Sequence, residues 1–331
     1  MASNKLTIKE VAKKAGVSIA TVSRFLNNPT SLREENRKKV ESIVKELNYR
    51  PLVYARRLAG GKLNSFGLII PGYEGIFYSY YALETIRNIA SMLDKDGIDT
   101  HLHIFWTKDN FKTSLVDGII FADIIGNEGQ LKRCMEEEIP LVVINRKVDD
   151  PGVSCVSIDN FKGGYEATDF LIKHGHKKVA HLVGDLRIQC AKERLDGYKA
   201  ALQKNGISSD NRYIANTNFS RKIAREQTEK LMSLPDKPSA IFCCSDEVAV
   251  EVLAYCEEKK IKIPGGLSVV GFDDNPNCIH GNLMLTTIRQ PLAKMASVGI
   301  QILKEKISKL LSNKKVVIEP ELIVRDTVSF A

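Results

Sequence analysis

The stretch "SIATVSRFLNN" at residues 18–28 sets Thr21, Ser23, Arg24 and Asn27 at helical spacing on one side of the chain. Hydroxyl, guanidinium and amide groups displayed together hydrogen-bond to a polar partner, and a guanidinium forms paired bonds to the O6 and N7 acceptors of guanine. Ile19 and Ala20, just ahead of them, offer small apolar contacts of the kind that suit thymine methyl groups. A second set of chemically capable residues follows short apolar runs further along the chain. Tyr73 and Phe77 come after "FGLII", Arg146 after "LVVIN", Ser245 and Asp246 after "AIFCC", and Asp273 after "SVVGF". Carboxylates and guanidinium groups make paired hydrogen bonds to hydroxyls while aromatic faces cover the apolar side of a ring, so this set suits a sugar-like polyol. Asp246 directly precedes a helix and reads first as an N-cap. Asp273, in "GFDD" at a strand end, has no such structural duty.

The first set needs a scaffold, and the surrounding residues supply one. Thr7 and Glu10 have the spacing of a capping box, and Ile8, Val11, Ala12 and Ala15 recur as one buried helical face. Gly16 ends that helix, and Ser18 is placed to cap a second one whose Val22 and Leu26 face inward. Ser31 and Glu34 have the spacing of another capping box, opening a third helix with Val40, Ile43, Val44 and Leu47 on its apolar stripe and a stop at "NYRP". A short helix, a glycine turn and a polar-faced helix make a helix-turn-helix, whose second helix enters the DNA major groove. The competing reading is a helical bundle for protein contact. Charge separates the two: residues 1–62 hold 14 Lys and Arg against 5 Asp and Glu, whereas the rest of the chain holds 34 against 35. A basic head on a neutral body is the footprint of nucleic-acid binding.

The second set needs strand ends. Apolar runs at 66–70, 100–105, 118–121, 140–144, 178–183, 240–244 and 267–272 alternate with helical stretches near 77–94, 130–138, 160–174, 191–205, 221–233, 246–260 and 291–311. That alternation predicts an α/β fold of parallel sheets covered on both faces, and its repeat before and after residue 160 predicts two lobes. Ligands in such sheets bind beyond the carboxyl ends of the strands, here in the cleft between lobes. The 331 residues exceed one core, and no apolar run is long enough to span a membrane. The N-terminus carries no apolar signal segment, so a cytoplasmic protein is expected. Seven cysteines without a CxxC pair read as reduced, mostly packed thiols. His174, His176 and His181 share no helix face and read as surface and core residues, so no metal or other cofactor is expected.

These residues resemble the lactose/galactose-repressor family of bacterial transcription regulators. The similarity runs through "TIKEVAKKAGVSIATVSRFLNN", "SLREENRKKVESIVKELNYRP" and "ARRLAGGK", then "VDGIIF", "IPLVVINR", "SIDNFKGGYEATDFLIKHGHKKVAHLVG", "ERLDGYKAAL", "SVVGFDD" and "LTTIRQP", covering nearly the whole chain in family order. It implies a helix-turn-helix domain at 1–52, a hinge at 53–62 and an effector and dimerisation domain at 63–331. The lobes of that domain take in about 63–159 with 291–318, and 160–290 with 319–331, resembling periplasmic sugar-binding proteins. It adds Arg194 and Phe219 as effector contacts. It also implies that the hinge folds on DNA, with Leu58 wedged in the minor groove and Ala55 small enough to let two such helices approach. Thr7, Ser18 and Tyr49 complete the residues assigned to DNA.

The chain departs from the family pattern at "PGYEGIFYSYY", where an acidic residue followed by Asn-Pro is often found, and at "RIQC", which replaces a loop rich in small hydroxyls. The expectation is a dimeric transcription regulator, not an enzyme, that binds a near-palindromic operator and answers a small effector, a sugar or sugar derivative. A phosphoprotein corepressor is the leading alternative, and a sugar-binding transport protein a weaker one. The ending "IVRDTVSFA" has no heptad extension that would argue for a tetramer.

Overall fold

The computed structural model describes residues 7–27, 29–47, 49, 63–277, 279–281, 283–310 and 312–331. The hinge assigned to 53–62, with Ala55 and Leu58, lies outside the described residues, as does the side chain of Asn27. Helices α1 (Ile8–Ala15), α2 (Ile19–Asn27) and α3 (Glu34–Glu46) come first. The backbone N–H of Thr7 donates to Glu10 Oε2 at 2.7 Å, and Gly16 takes φ 66°, a left-handed turn that glycine adopts without strain. The N–H of Thr21 donates to Ser18 Oγ at 3.1 Å, capping α2. Val11, Val22 and Val40 are fully buried and bring one residue from each helix into the small core.

The start of α3 differs from expectation. Ser31 closes a short 3-10 turn at Pro29–Ser31, and Arg33 occupies the N-cap position, so the Ser31–Glu34 box does not form. Proline's fixed φ favours that tight turn, which takes up the residues a cap would have used. Ion pairs at i, i+4 spacing, Glu34–Lys38, Glu35–Lys39 and Glu41–Lys45, line the solvent side of α3 instead.

From residue 65 the chain runs β1 (Ser65–Pro71), α4 (Tyr80–Lys95), β2 (Asp99–Phe105), β3 (Gly118–Ala122), α5 (Glu128–Glu136), β4 (Leu141–Ile144), β5 (Ser154–Ile158), α6 (Asn160–Lys173), β6 (Val179–Val183) and α7 (Gln189–Lys204). It continues through β7 (Ile214–Asn216), α8 (Arg221–Met232), β8 (Ala240–Cys243), α9 (Asp246–Glu258), β9 (Ser268–Asp273), β10 (Ile279–His280), β11 (Leu283–Met284), β12 (Thr286–Arg289), α10 (Leu292–Ile307), β13 (Lys315–Ile318) and β14 (Glu321–Ile323). One sheet has the order β13-β5-β4-β3-β1-β2, the other β14-β12-β9-β8-β6-β7, and β10 and β11 pair in a small hairpin. The pairings within the two large sheets are parallel except that of β12 with β14.

The apolar runs become strands buried on both faces because alternate residues have different helices to meet. In the first sheet Leu68, Ile70, Ile120 and Val142 pack in one core with Met295 and Leu303 of α10, while Ile69, Ile119, Phe121 and Val143 pack with Leu131 and Cys134 of α5. The strand order reverses direction at β1, between β2 and β3, and again at β6, between β7 and β8. Such switch points are where open α/β sheets generally take ligands.

Helices α6 and α7 pack backbone to backbone. A Cβ on Gly164 would lie 2.3 Å from Arg194 O, and one on Gly197 2.1 Å from Phe161 O, so neither position has room for a side chain. Gly164→Ala and Gly197→Ala are each expected to cost about 1–3 kcal/mol in chemical denaturation, the usual range for overpacking. Gly129→Ala, which meets nothing within 4 Å, serves as control. Equal stability of all three variants would rule out the close crossing.

Candidate functional site

The exposed side of α2 is the first site. Ile19 is 45 % exposed, Ala20 and Arg24 face solvent, and Thr21 and Ser23 are half-buried, while Val22 between them is fully buried. The helix therefore holds its core with one face and offers a methyl-bearing N-terminal end and a guanidinium with the other. Ser18 and Thr7 are partly engaged by the fold itself: the hydroxyls of Ser18 and Thr21 lie 2.9 Å apart, and Thr7 Oγ1 donates to Glu10 Oε2 at 3.1 Å. Tyr49 packs into the head's core, its backbone N–H bonded to Val44 O at 3.0 Å, so its ring supports the helices rather than facing solvent.

The second site lies at the strand ends. Asp123 follows β3, Asn145 and Arg146 follow β4, Asp273 ends β9, and Gln290 follows β12. Asp123, Asn145, Asp273, Asn218 and Phe219 all have positive φ, an uncommon backbone state for residues with side chains that gathers at functional corners. Asp123 Oδ1 accepts the Ile124 N–H at 2.7 Å, and Oδ2 accepts Asn145 Nδ2 at 3.2 Å. Arg146 lies 3.8 Å from Asp123 and donates its Nη1 to Ile124 O. Burial pushes the Asp123 carboxyl up to about 6, against the opposing pull of the Ile124 N–H and Arg146.

Across the cleft, Gln290 Nε2 donates to Asp273 Oδ1 at 2.5 Å. Burial raises the Asp273 carboxyl well above its ordinary range, opposed by the Arg194 charge and reinforced by Asp246. Arg194 is itself 3 % exposed, donating from Nε to Asn160 Oδ1 at 2.9 Å and from Nη1 to Cys244 O at 2.5 Å, with its guanidinium 3.5 Å from the centre of the Phe272 ring. The cap of α9 is Ser245, whose Oγ accepts the Val248 N–H at 3.3 Å. The expectation that Asp246 fills that role is corrected: its carboxylate accepts Thr287 Oγ1 at 2.6 Å and the Asn275 N–H at 2.7 Å. Tyr73 and Phe77 are 41 % and 61 % exposed, and the Tyr73 hydroxyl feels Glu247, Asp123 and Asp273 together, so carboxylates of both lobes converge near it. Phe219 is half-buried beyond β7.

The lobes touch at named points. Lys147 and Gln189 exchange two hydrogen bonds, Lys147 N–H to Gln189 Oε1 at 2.8 Å and Gln189 Nε2 to Lys147 O at 3.2 Å, and Lys147 Nζ lies 3.3 Å from Glu193. The Tyr80 N–H at the start of α4 donates to Glu247 Oε1 at 3.2 Å. Sequence reasoning missed Asp123, Asn145, Glu247 and Gln290, although "GIIFAD" carries the same strand-end acid as "GFDD".

The histidines have structural duties: His174 Nδ1 is 2.8 Å from Phe170 O, His176 lies between Ser239 and Ser268, and His181 stacks on Phe242 with centroids 4.3 Å apart. Among the described residues no His, Cys, Asp and Glu group is arranged to hold a metal. Their cysteines are free thiols, all buried except the half-buried Cys190. No helix of the described residues is long and apolar enough to cross a membrane.

Residues 7–51 match the model of "Bacterial regulatory proteins, lacI family", and residues 168–328 that of a periplasmic binding protein-like domain. The chain is 31% identical over 334 residues to the probable HTH-type transcriptional repressor ExuR of Bacillus subtilis, covering 98% of each. It is also 31% identical to catabolite control protein A of Priestia megaterium, covering 96% of this chain and 97% of that protein. The lac repressor dimer bound to operator and the anti-inducer ONPF has the same fold, with a TM-score of 0.84 at 22% identity over 98% of this chain and 100% of that one.

The buried Asp123 carboxyl gives a pH signature. It holds its proton to higher pH in the folded protein than in the unfolded chain, so the stability it contributes is present below about pH 4 and is lost as pH rises through about 6. Relative to wild type, Asp123→Asn should therefore gain about 1–3 kcal/mol of unfolding free energy between pH 4 and pH 7 in denaturant titrations. A difference that stays constant with pH would place this carboxylate in solvent.

Proposed function

The chain belongs to the lacI family of bacterial regulatory proteins, and from that membership we propose that it represses transcription as a homodimer on a near-palindromic operator, under control of a sugar-like effector bound between its lobes. As a member it is a DNA-binding transcription regulator. The observation that carries the reading is the division of α2, with Val22 buried and Ile19, Ala20 and Arg24 exposed on a head that concentrates the chain's positive charge. A two-fold dimer would set two such helices in successive major grooves.

The effector reading takes the two strand-end acids, Asp123 and Asp273, as facing one cleft from opposite lobes and assigns Tyr73, Phe77, Arg146, Arg194, Phe219 and Ser245 to it; it is supported by the Tyr73 hydroxyl, which lies in the field of both acids. Arg194, held by Asn160 and Cys244, acts in this reading by fixing Asp273 and its surroundings. The relatives support carbohydrate control: the solved regulator CelR–cellobiose complex shares this fold, with a TM-score of 0.72 at 24% identity over 97% of this chain. The domain division at 52 and 62, with Leu58 as a minor-groove wedge, belongs to the same proposal.

Two variants test it on DNA fragments recovered by genome-wide binding. Arg24→Ala should weaken binding to the operator by about 1–3 kcal/mol and relax preference at one base pair per half-site. A uniform loss on all sequences would make Arg24 a phosphate contact. Asp273→Asn should keep operator affinity while abolishing its response to effector; an unfolded variant would make the residue purely structural.

A further inference from the structure

We propose that the effector is a cation: a polyhydroxylated amine of the amino-sugar class rather than a neutral or anionic sugar. The proposal rests on the reading of the cleft as the effector site and adds the charge of what enters it.

Each lobe contributes the same two-residue unit at neighbouring strand ends. In the first, Asn145 gives its Nδ2 to Asp123 and is left with a buried Oδ1 that has no partner. In the second, Gln290 gives its Nε2 to Asp273 and is left with a buried Oε1 that has no partner. Asp123 is 5 % exposed and the other three residues 7 % each, so these are enclosed groups. Each amide NH2 spends one of its two N–H donors on the carboxyl beside it, so each unit keeps an unanswered amide oxygen and carboxyl lone pairs against a single remaining N–H. Unanswered acceptors out of water are costly, and an ammonium group, with three donors and no acceptor, answers them best.

The charge balance points the same way. Asp123, Asp246, Glu247 and Asp273 bring four carboxyl groups to the region, against the guanidinium groups of Arg146 and Arg194, and burial pushes all four toward their protonated forms. Both guanidinium groups are already engaged, Arg146 with Ile124 O and Asp123, Arg194 with Asn160, Cys244 O and the Phe272 ring. Lys147 at the rim is paired with Glu193. A sugar phosphate or uronate would bring a further negative charge to acids that burial already keeps from ionising, and a neutral hydroxyl would leave them so, whereas an ammonium favours their ionised forms and pairs with them where the dielectric is low. Hydroxyls are needed as well. Asn127, 1 % exposed in the loop after β3, has an unpartnered Nδ2 that requires an acceptor, which an ammonium lacks and a hydroxyl provides.

The test uses the full chain, titrated calorimetrically at pH 7 with glucosamine, galactosamine and mannosamine, each beside its parent hexose and the matching hexuronate. One amine is expected to bind about tenfold or more tightly than its parent, with no binding of the uronate. Asp123→Asn and Glu247→Gln, checked first for an intact thermal transition, should each lower the amine-to-hexose ratio several-fold. A hexose or uronate that binds as tightly as the amine overturns the cationic assignment and leaves the cleft as the effector site. Amine binding unchanged in both variants places the amine elsewhere and also overturns it. Failure of every sugar to bind overturns the reading of the cleft along with the inference.

Discussion

A guanidinium taken out of water is tolerated only when its donors and its charge are answered, and Arg194, 3 % exposed, meets that condition by tying together distant parts of the second lobe. Its Nε reaches Asn160 at the start of α6, just past the crossover from the first sheet; its Nη1 reaches the carbonyl of Cys244 after β8; its face lies on Phe272 in β9. The helix that carries it lies so near α6 that Gly164 meets the Arg194 carbonyl where a side chain would stand. One residue after Phe272 comes Asp273, whose carboxylate sits in the same field. The strand that ends in Asp273 is therefore packed against one buried cation.

The first lobe answers with Asp123, held by a backbone N–H, an amide and Arg146. In the proposed effector reading, matching acids at the strand ends of the two lobes make a site whose occupancy depends on their separation. The Lys147–Gln189 and Tyr80–Glu247 contacts join the lobes with part-buried hydrogen bonds, beside the Lys147–Glu193 ion pair. A ligand that bridges both acids competes only with contacts of that modest strength, so hinge closure lies within reach of ordinary binding free energies. Coupling to DNA needs no more than about 1–3 kcal/mol of preference for one arrangement.

The head was legible nearly residue by residue, because capping pairs, a turn glycine and helical periodicity are local signals; the exception was Ser31, where a proline-led turn displaced the expected cap. Long apolar strands such as β1 and β3 were equally plain. The strands that escaped were β5, β7, β10, β11, β12, β13 and β14, which are short or polar, and "SCVSI" or "TTIR" becomes strand only because a neighbour offers it a ladder. In the cleft, Asp273 stood out as an acid with no local duty. Asn145 and Gln290 did not, since their meaning lies in hydrogen bonds to acids 22 and 17 residues away. Ser245 took the capping role expected of Asp246 for a similar reason: the Thr287 hydroxyl that claims Asp246 is 41 residues distant.

The two sheets are not consecutive in the chain. β13, residues 315–318, closes the edge of a sheet begun at residue 65, and α10 supplies Met295, Ala296 and Leu303 to the core beneath it. During synthesis the first lobe therefore waits, with an apolar sheet face uncovered, until the second lobe has been translated and α10 has emerged. At about 5–20 residues per second, the roughly 130 residues between β5 and α10 leave that face open for something like 6–26 seconds. A nascent chain in that interval is a natural client for chaperones, and stalling within the second lobe would expose the first to aggregation rather than leave it as a finished domain.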